Sequence, residues 1–372
     1  MSVPPCGSTL PDDRLVVSVA DPFAELPEQL QAKRLMTAAL ADGAAHAYLF
    51  HGPAGVGKRA AALAFAGALL GDARRVRDRT HPDLSVIEAL GDMIRIDRIR
   101  ELHHDLHMRP FEADRRVYLV FDAHLLGDDA ADALLKDLEE PPEYATMVLV
   151  ADELGPLPET IRSRCQPVPF SRLSDRAVRA WVDAQAPELP EQEARAVARV
   201  AAGRLDRAGR LLDPDARKRR FALLEAARGT YGVDSFDPVA AAAVVSAAAS
   251  ARGAAARERE TVAIEHVELT SREADQRVRR AQRGAEREEL LASLEELEAW
   301  YRDLVVVAEG AENVVVHADR LDELRADAAR VGPSARDAAE TVRQAWRVAE
   351  EFNVAAALWL EALFVRLRRV FA

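Results

Sequence analysis

The sequence is poor in cysteine and in aromatic residues, and both shortages limit what the chain can be. Its 372 residues include two cysteines, Cys6 and Cys165, far apart and in different contexts. Neither a disulfide framework nor a cysteine zinc site can be built from them. Aromatic residues make up 5% of the chain against 49% hydrophobic residues. With its frequent alanine runs, this composition favours helices over a β-rich fold, and the length predicts two or three domains.

Long apolar runs are also scarce, and acidic residues outnumber basic ones by 62 to 50. We expect no segment to approach the length of a bilayer span, and no basic region precedes an apolar N-terminal run. We therefore expect an unexported, cytoplasmic protein with no membrane partner. A net charge of -12 argues against broad attraction to nucleic acid, although it does not exclude a local basic face. Protein partners are the expectation.

A glycine-rich stretch at residues 52–59 has the pattern of a phosphate-binding loop. Gly52, Gly55, Gly57 and Lys58 supply the G-x-x-x-x-G-K pattern, between a strand-like run at 47–50 and a helix-like run at 60–66. The glycines let backbone N–H groups turn towards an anion, and Lys58 would reach the outer phosphates. These four residues are the candidate site for ATP, ADP or phosphate.

Three positions around this loop lack the groups that ATP hydrolysis needs. Arg59 stands where a Ser or Thr hydroxyl would hold magnesium, and a guanidinium cannot coordinate a cation. Asp122, at the end of a predicted strand, could still bind magnesium, but Ala123 follows it where a glutamate would polarise water. Asp152 follows the next strand and would repel a triphosphate. We therefore expect that catalysis at the loop has lapsed and that the chain has no ATPase activity of its own.

Strands and helices alternate up to about residue 170, and only helical patterns follow. Further strands are predicted at 83–87, 116–122 and 146–150, which indicates a parallel sheet with ligands at the carboxyl ends of its strands. The predicted fold class is an α/β P-loop core flanked by helices, a small helical lid and an all-helical C-terminal domain. The predicted divisions are a flexible lead-in at 1–21 with a short strand at 16–19, the core at 22–171, the lid at 172–211 and the C-terminal domain at 212–372. A charged segment at 252–289 predicts a long solvated helix or a helical hairpin.

Two further groups of side chains deserve a functional hypothesis. Arg164 follows the last predicted strand, at an edge where a guanidinium could reach a neighbouring subunit's phosphates and stabilise the charge of a transferring phosphoryl group. The alternative is an ordinary surface arginine. Cys165 beside it is expected to be packed and unreactive. His103, His104 and His107 have no evident third and fourth ligands, so no metal site is predicted.

Five ordered stretches resemble a known family, and together they are more specific than any one of them. They are HAYLFHGP at 46–53, HPD at 81–83, IREL at 99–102, ALLKDLEEPP at 133–142 and TIRSRCQ at 160–166. This set, within about residues 22–208, resembles the clamp-loader subunits of bacterial DNA polymerase III. Within that family the delta-prime class has a damaged ATP site and keeps the Ser-Arg-Cys triplet, and the chain is similar to that class.

The resemblance implies an AAA+ core, a helical lid and a collar domain in a hetero-pentameric ring with motor and delta-type subunits. It also implies that Arg164 acts in trans on the ATP of the adjacent motor subunit when the sliding clamp and primed DNA are bound. The family's four-cysteine zinc module is missing between residues 70 and 82, so no zinc is expected. Two alternatives stay open: an active ATPase that uses Lys58 and Asp122 with a base from elsewhere, or a regulatory module that holds nucleotide without hydrolysing it.

Overall fold

The computed structural model describes residues 21–89, 93–152, 154–232, 235–265, 270–351 and 356–372, without the side chains of 273, 346–351 and 356. The predicted lead-in at 1–21 falls almost entirely outside these residues, and the predicted strand at 16–19 does so completely. The division of the chain into domains stays a prediction.

Five parallel strands form one sheet in the order β2-β3-β4-β1-β5. They are β1 (Ala47–His51), β2 (Leu84–Ile87), β3 (Arg116–Val120), β4 (Ala145–Ala151) and β5 (Gln166–Pro169). The central strands are continuous apolar runs that are buried on both faces, as parallel sheets between helices require. Tyr48 of β1 lies opposite Val148 of β4 and Gln166 of β5.

The strand β5 was not predicted, and its composition explains why. Pro167 and Pro169 make a four-residue segment unlike a strand, because proline cannot donate to a sheet ladder. β5 is an edge strand that pairs only with β1, where missing donors on the outer side are tolerated. The prediction that Arg164 follows the last core strand is therefore wrong, since Arg164 precedes β5.

Helices cover both faces of the sheet and make two cores from alternating strand residues. They are α1 (Leu30–Asp42), α2 (Lys58–Leu70), α3 (Ala73–Arg77), α4 (Ile96–Leu106), α5 (Asp128–Glu139) and α6 (Glu159–Arg162). Phe50 and Leu119 pack with α1 and α2, whereas Leu49 and Val120 pack with α4 and α5. The short helix α3 was missed because Val76 is the one large apolar residue of this basic stretch.

Three short helices follow the sheet and have a small core of their own. They are α7 (Asp175–Gln185), α8 (Glu191–Val200) and α9 (Leu205–Leu212). Val178, Val182 and Val197 are buried in their shared core. Ser174 caps α7, because its hydroxyl oxygen accepts a hydrogen bond from the Ala177 backbone N–H.

Among its described residues, the C-terminal part of the chain forms five longer helices around one core. They are α10 (Pro214–Gly232), α11 (Pro238–Ala263), α12 (Ser271–Ala308), α13 (Leu321–Glu351) and α14 (Ala356–Val370). Trp300, Tyr301, Leu304 and Phe364 are buried at the centre of this core. The five-stranded parallel sheet flanked by helices and the helical C-terminal part confirm the predicted α/β core followed by helices.

The charged segment at 252–289 is described as the end of α11 and the beginning of α12, which pack side by side. Arg277 of α12 pairs with Glu260 of α11, and Glu286 of α12 lies against Gly253 of α11. These contacts bring the end of one helix beside the start of the next. Of the two forms predicted for this segment, the helical hairpin is the one found.

One helix corrects the expectation that no segment is long enough to cross a bilayer. By length and composition alone, α11 is such a helix, with a mean hydropathy of 1.4 in its most apolar window. Its alanines raise the mean hydropathy without forming a run of large apolar residues. The sequence pattern therefore did not indicate a bilayer-length segment. A third of that window is buried, and α11 packs against α12 and α14. A single helix of this kind is weak evidence for a membrane span, because core helices meet the same criteria.

A buried ion-pair network joins α9 and α10 to α12. Glu296 of α12 accepts hydrogen bonds from Arg207 of α9 and Arg220 of α10, and its carboxylate lies 3.0 Å from His317 Nε2. The other ring nitrogen of His317 lies 2.8 Å from Asp303 Oδ2. Burial alone would raise the pKa of Glu296, but the charges of Arg207, His317 and Arg220 hold that pKa well below its usual range.

Candidate functional site

The glycine-rich loop lies between β1 and α2, at the carboxyl end of the central sheet, as predicted. Gly52, Gly55 and Gly57 have φ angles of 138°, 72° and 97°, which is the left-handed region that glycine adopts without strain. At Gly52 a Cβ atom would lie 2.2 Å from the carbonyl oxygen of Phe170, so no other residue fits there. The helix α2 begins at Lys58. The backbone therefore has the strand, glycine turn and helix start that the sequence pattern predicts.

The Lys58 side chain bonds to acceptors of its own chain. Its ammonium donates hydrogen bonds to the carbonyl oxygens of Gly52, at 2.7 Å, and of Pro53, and pairs with Asp152 Oδ1 at 2.7 Å. These three acceptors match the three protons of an ammonium group. The side chain is 3% exposed, and burial lowers the pKa of Lys58 although Asp152 acts in the opposite direction. The lysine that would bind an outer phosphate is thus satisfied without one.

A second carboxylate, that of Asp206, lies directly on the loop. The backbone N–H of Leu205, at the start of α9, donates to the Gly55 carbonyl oxygen at 2.6 Å. A Cβ atom at Gly55 would lie 1.7 Å from Asp206 Oδ1. Burial alone would raise the pKa of Asp206, but its hydrogen bond and ion pair with Arg204 lower it, so the carboxylate stays charged. Sequence reasoning missed Asp206, since nothing in the sequence brings α9 onto a loop 150 residues earlier.

Arg59 forms an ion pair with Asp122, whose carboxylate was expected to hold magnesium. Its guanidinium pairs with Asp122, lies 3.6 Å from Glu88 and stacks over the ring of Phe121 at 5.0 Å. Ala123 is buried and offers only a methyl group where a catalytic base would act. A magnesium nucleotide does not fit these residues: its cation would compete with Arg59, and its phosphates would meet the carboxylates of Asp152 and Asp206.

Arg164 lies between α6 and β5, and its side chain is 34% exposed. Its guanidinium donates to the Thr160 carbonyl oxygen at 2.9 Å and pairs with Glu139, at the end of α5, at 2.5 Å. The Glu139 side chain is half exposed, so water screens the pair. Beside it, burial raises the pKa of the Cys165 thiol to about 12, as expected of a packed and unreactive cysteine.

Two of the three histidines at the end of α4, His103 and His107, are engaged in ordinary contacts. His103 Nδ1 lies 2.6 Å from Asp137 Oδ1, and the rings of His103 and His107 meet edge to face at 4.9 Å between centroids. Within the described ranges, no group of three or more His, Cys, Asp or Glu side chains could hold a metal ion.

Comparisons with known proteins match the part of the chain that holds this site. Residues 28–174 match the family model described as DNA polymerase III, delta subunit. The match includes the loop, Asp122, Asp152 and Arg164, and ends before α7.

Curated relatives match over similar stretches. The chain is 34% identical to DNA polymerase III subunit delta' of Bacillus subtilis over 149 residues, which is 37% of this chain and 45% of the relative. It is 31% identical to subunit delta' of Pseudomonas aeruginosa over 196 residues, 49% of this chain and 60% of the relative. It is also 32% identical to subunit tau of Bacillus subtilis over 198 residues, 49% of this chain and 35% of the relative. The matches thus span less than two thirds of these relatives.

Among solved structures, a DNA polymerase III gamma subunit-related protein of Thermotoga maritima aligns over 92% of this chain and 100% of its own. The TM-score of that alignment is 0.46, with 18% identity. Over residues 28–174, then, the resemblance to the clamp-loader subunits of bacterial DNA polymerase III that the five motifs predicted is confirmed, and this region is similar to the DNA polymerase III delta-subunit family.

Proposed function

We propose that the protein is a delta-prime-type accessory subunit of a DNA polymerase III clamp loader that hydrolyses no ATP itself and supplies Arg164 in trans to a neighbouring ATPase subunit. One observation carries the proposal: the cations of the phosphate loop are neutralised by the chain's own carboxylates, whereas Arg164 stands partly exposed beside the sheet. Its similarity to the delta' subunits of two bacteria supports the same function.

Loss of turnover at the loop follows from charge and from missing groups. Lys58 already shares its three protons, and displacing Asp152 from it would cost a buried ion pair. Arg59 holds Asp122, so a magnesium ion would have to displace a guanidinium. Ala123 cannot polarise water. Each fault alone would slow hydrolysis, and together they make the loop a structural element rather than an ATP site.

Arg164 has the properties that a guanidinium acting in trans needs. It is held in a defined direction by the Thr160 carbonyl oxygen, and its ion pair with Glu139 is exposed to water and therefore weak. A triphosphate on an adjacent subunit carries more charge than one carboxylate, so the guanidinium would leave Glu139 for it. Its forked geometry suits the equatorial oxygens of a transferring phosphoryl group.

The test is a reconstituted clamp loader that carries Arg164→Ala. We expect ATP turnover at the adjacent site and clamp loading onto primed DNA to be lost, because an arginine finger accelerates phosphoryl transfer by about 10³-fold or more. Arg162→Ala is the matched control, since Arg162 is exposed at the end of α6, two residues before Arg164. Clamp-stimulated ATPase and loading that stay at the wild-type level in the Arg164 variant would reject the proposal.

The purified chain alone tests the other half of the proposal. We expect no ATP turnover, and calorimetry with ATP and magnesium should register no binding heat. Turnover abolished by Lys58→Ala would instead identify an active ATPase, and binding without turnover would identify a module that holds nucleotide.

The proposal includes the partners and the location of the protein. They are motor-type and delta-type subunits in a hetero-pentameric ring, the sliding clamp and primed DNA through that assembly, and the cytoplasm where replication takes place. It requires neither zinc nor nucleotide bound to this chain.

A further inference from the structure

The beginning of α12 carries an exposed arginine stripe, which we define as Arg272, Arg279, Arg280 and Arg283. All four side chains are exposed. At 3.6 residues per turn, positions 272, 279 and 283 lie within about 40° of one another around the helix, and position 280 borders them. With Ser271, Asp275 and Gln276, these arginines line a shallow groove of about 610 Å³. They share one face of the helix.

The stripe is uncompensated within the described part of the chain. No described side chain forms an ion pair with any of its four guanidinium groups, whereas the neighbouring Arg277 pairs with Glu260 at 2.5 Å. Arg279 and Arg283 are four residues apart, and Arg280 and Arg283 are three apart, so like charges meet on the helix surface and disfavour it. In a protein of net charge -12, five arginines stand against two acids between residues 271 and 283. The arginine stripe therefore has no anionic partner among the described side chains.

The chemistry of the groove favours a nucleic acid as the source of that anion. The cores of protein interfaces are apolar and often aromatic, whereas every residue that lines this groove has a side chain ending in a charged or polar group. Protein–DNA interfaces are polar and positively charged. Single-stranded sites add aromatic side chains on which bases stack, and residues 270–289 include no Phe, Tyr or Trp. These features together fit the phosphate backbone of a duplex.

We propose that the arginine stripe binds the phosphate backbone of duplex DNA without regard to sequence. At 1.5 Å per residue, positions 272 to 283 span about 16 Å, which is the length of about five base pairs along a duplex. The guanidinium groups replace condensed counterions on one strand. This binding surface goes beyond the proposed function at Arg164, because it requires neither ATP nor a second subunit.

The experiment compares the full-length wild-type chain with the variant Arg272→Gln, Arg279→Gln, Arg283→Gln. Glutamine keeps the helix propensity and removes only the charge. Fluorescence anisotropy with a labelled 20-base-pair duplex is recorded between 50 and 200 mM NaCl. We expect the triple variant to bind about tenfold or more weakly at 50 mM, and its log Kd to depend less steeply on log salt by about three. Arg277→Gln is the matched control and should bind within twofold of wild type.

Four outcomes would overturn the proposal. They are no measurable binding of duplex by wild type, equal binding by the triple variant, tighter binding of a 20-nucleotide single strand, and equal displacement of the duplex by polyglutamate. The last would identify an acidic protein as the partner. Since the assay contains neither nucleotide nor motor subunit, its failure leaves the Arg164 test untouched, and the converse also holds.

Discussion

The charged side chains in the two halves of α12 differ in whether they have partners of opposite charge. Towards its end, Glu295 pairs with Arg204, Glu296 pairs with Arg207 and Arg220, and Asp303 pairs with Arg302 and contacts the His317 ring. Asp303 is fully buried and Glu296 is 8% exposed. At its beginning, the arginine stripe is exposed and has no partner among the described side chains. One helix therefore carries a structural charge cluster at one end and an unsatisfied one at the other.

The cations of the glycine-rich loop are paired within the chain, like the charged residues in the second half of α12. Lys58 and Arg59 are the cations that would bind a nucleotide in an active site, yet each is paired with an aspartate of the same chain. Internal pairing therefore distinguishes cations that hold this protein together from cations that remain available to an outside anion. Arg164 stands between these cases, because its one carboxylate partner is exposed to solvent.

The largest effect is expected from Glu296→Gln, which removes the charge that Arg207, Arg220 and His317 share. Breaking a buried ion pair leaves uncompensated charge in a low-dielectric interior, and we expect a loss of about 3 kcal/mol in the free energy of unfolding. Urea unfolding followed by tryptophan fluorescence reports it, because the Trp300 ring lies 5.3 Å from that of His317. The control is Glu298→Gln, whose partner Arg343 is exposed, and it should cost under about 0.5 kcal/mol.

The same network predicts how stability depends on pH. The pKa of Glu296 is held well below the 4.5 of an unperturbed glutamate, so the unfolded state binds its proton first as pH falls. The stability that Glu296 contributes is complete above pH 4.5 and is lost progressively as pH drops towards the folded-state pKa. Acid unfolding should therefore lose part of its pH dependence below pH 4.5 in Glu296→Gln. An unchanged acid profile would mean that other carboxylates govern it.

A smaller effect is expected at the phosphate loop, from Asp152→Asn. This change leaves the buried Lys58 without its carboxylate, and we expect a loss of about 2 kcal/mol in unfolding free energy. Inorganic phosphate should restore part of it, since the anion can take the place of the carboxylate. At a concentration ten times its Kd, phosphate would add about 1.4 kcal/mol.

The prediction for Asp152→Asn has one control variant and one outcome that would contradict it. Asp132→Asn removes the same charge from an exposed position on α5, and its stability should be unaffected by phosphate. Phosphate that stabilises the wild-type protein as much as Asp152→Asn would contradict the statement that the loop is internally satisfied.

Much of the fold was predictable because burial leaves a plain pattern in sequence. The runs that became β3 and β4 are continuously apolar, and α4 places Ile99, Leu102 and Leu106 on one buried face. The strand β5 and the helix α3 were not predictable in this way, since an edge strand with two prolines and a basic single-turn helix carry little apolar signal.

The candidate site was predictable in its residues but not in its pairings. The loop pattern identified Lys58, and the strand ends identified Asp122 and Asp152. That Asp152 would pair with Lys58 rather than only repel a phosphate depends on side-chain positions across two strands. Asp206 reaches Gly55 through the packing of α9, which no local pattern encodes.

The smallest effect is expected from the double variant Arg279→Gln, Arg283→Gln, measured as stability rather than as binding. Removing like charges four residues apart should raise the free energy of unfolding by about 0.3 kcal/mol at 20 mM NaCl, and by less at 500 mM because salt screens the repulsion. Arg277→Gln loses its ion pair with Glu260 and should change stability in the opposite direction. Thermal unfolding at the two salt concentrations separates these signs. If the double variant lost more than about 1 kcal/mol, the arginine stripe would be holding the hairpin together, and the contrast between the two halves of α12 would fail.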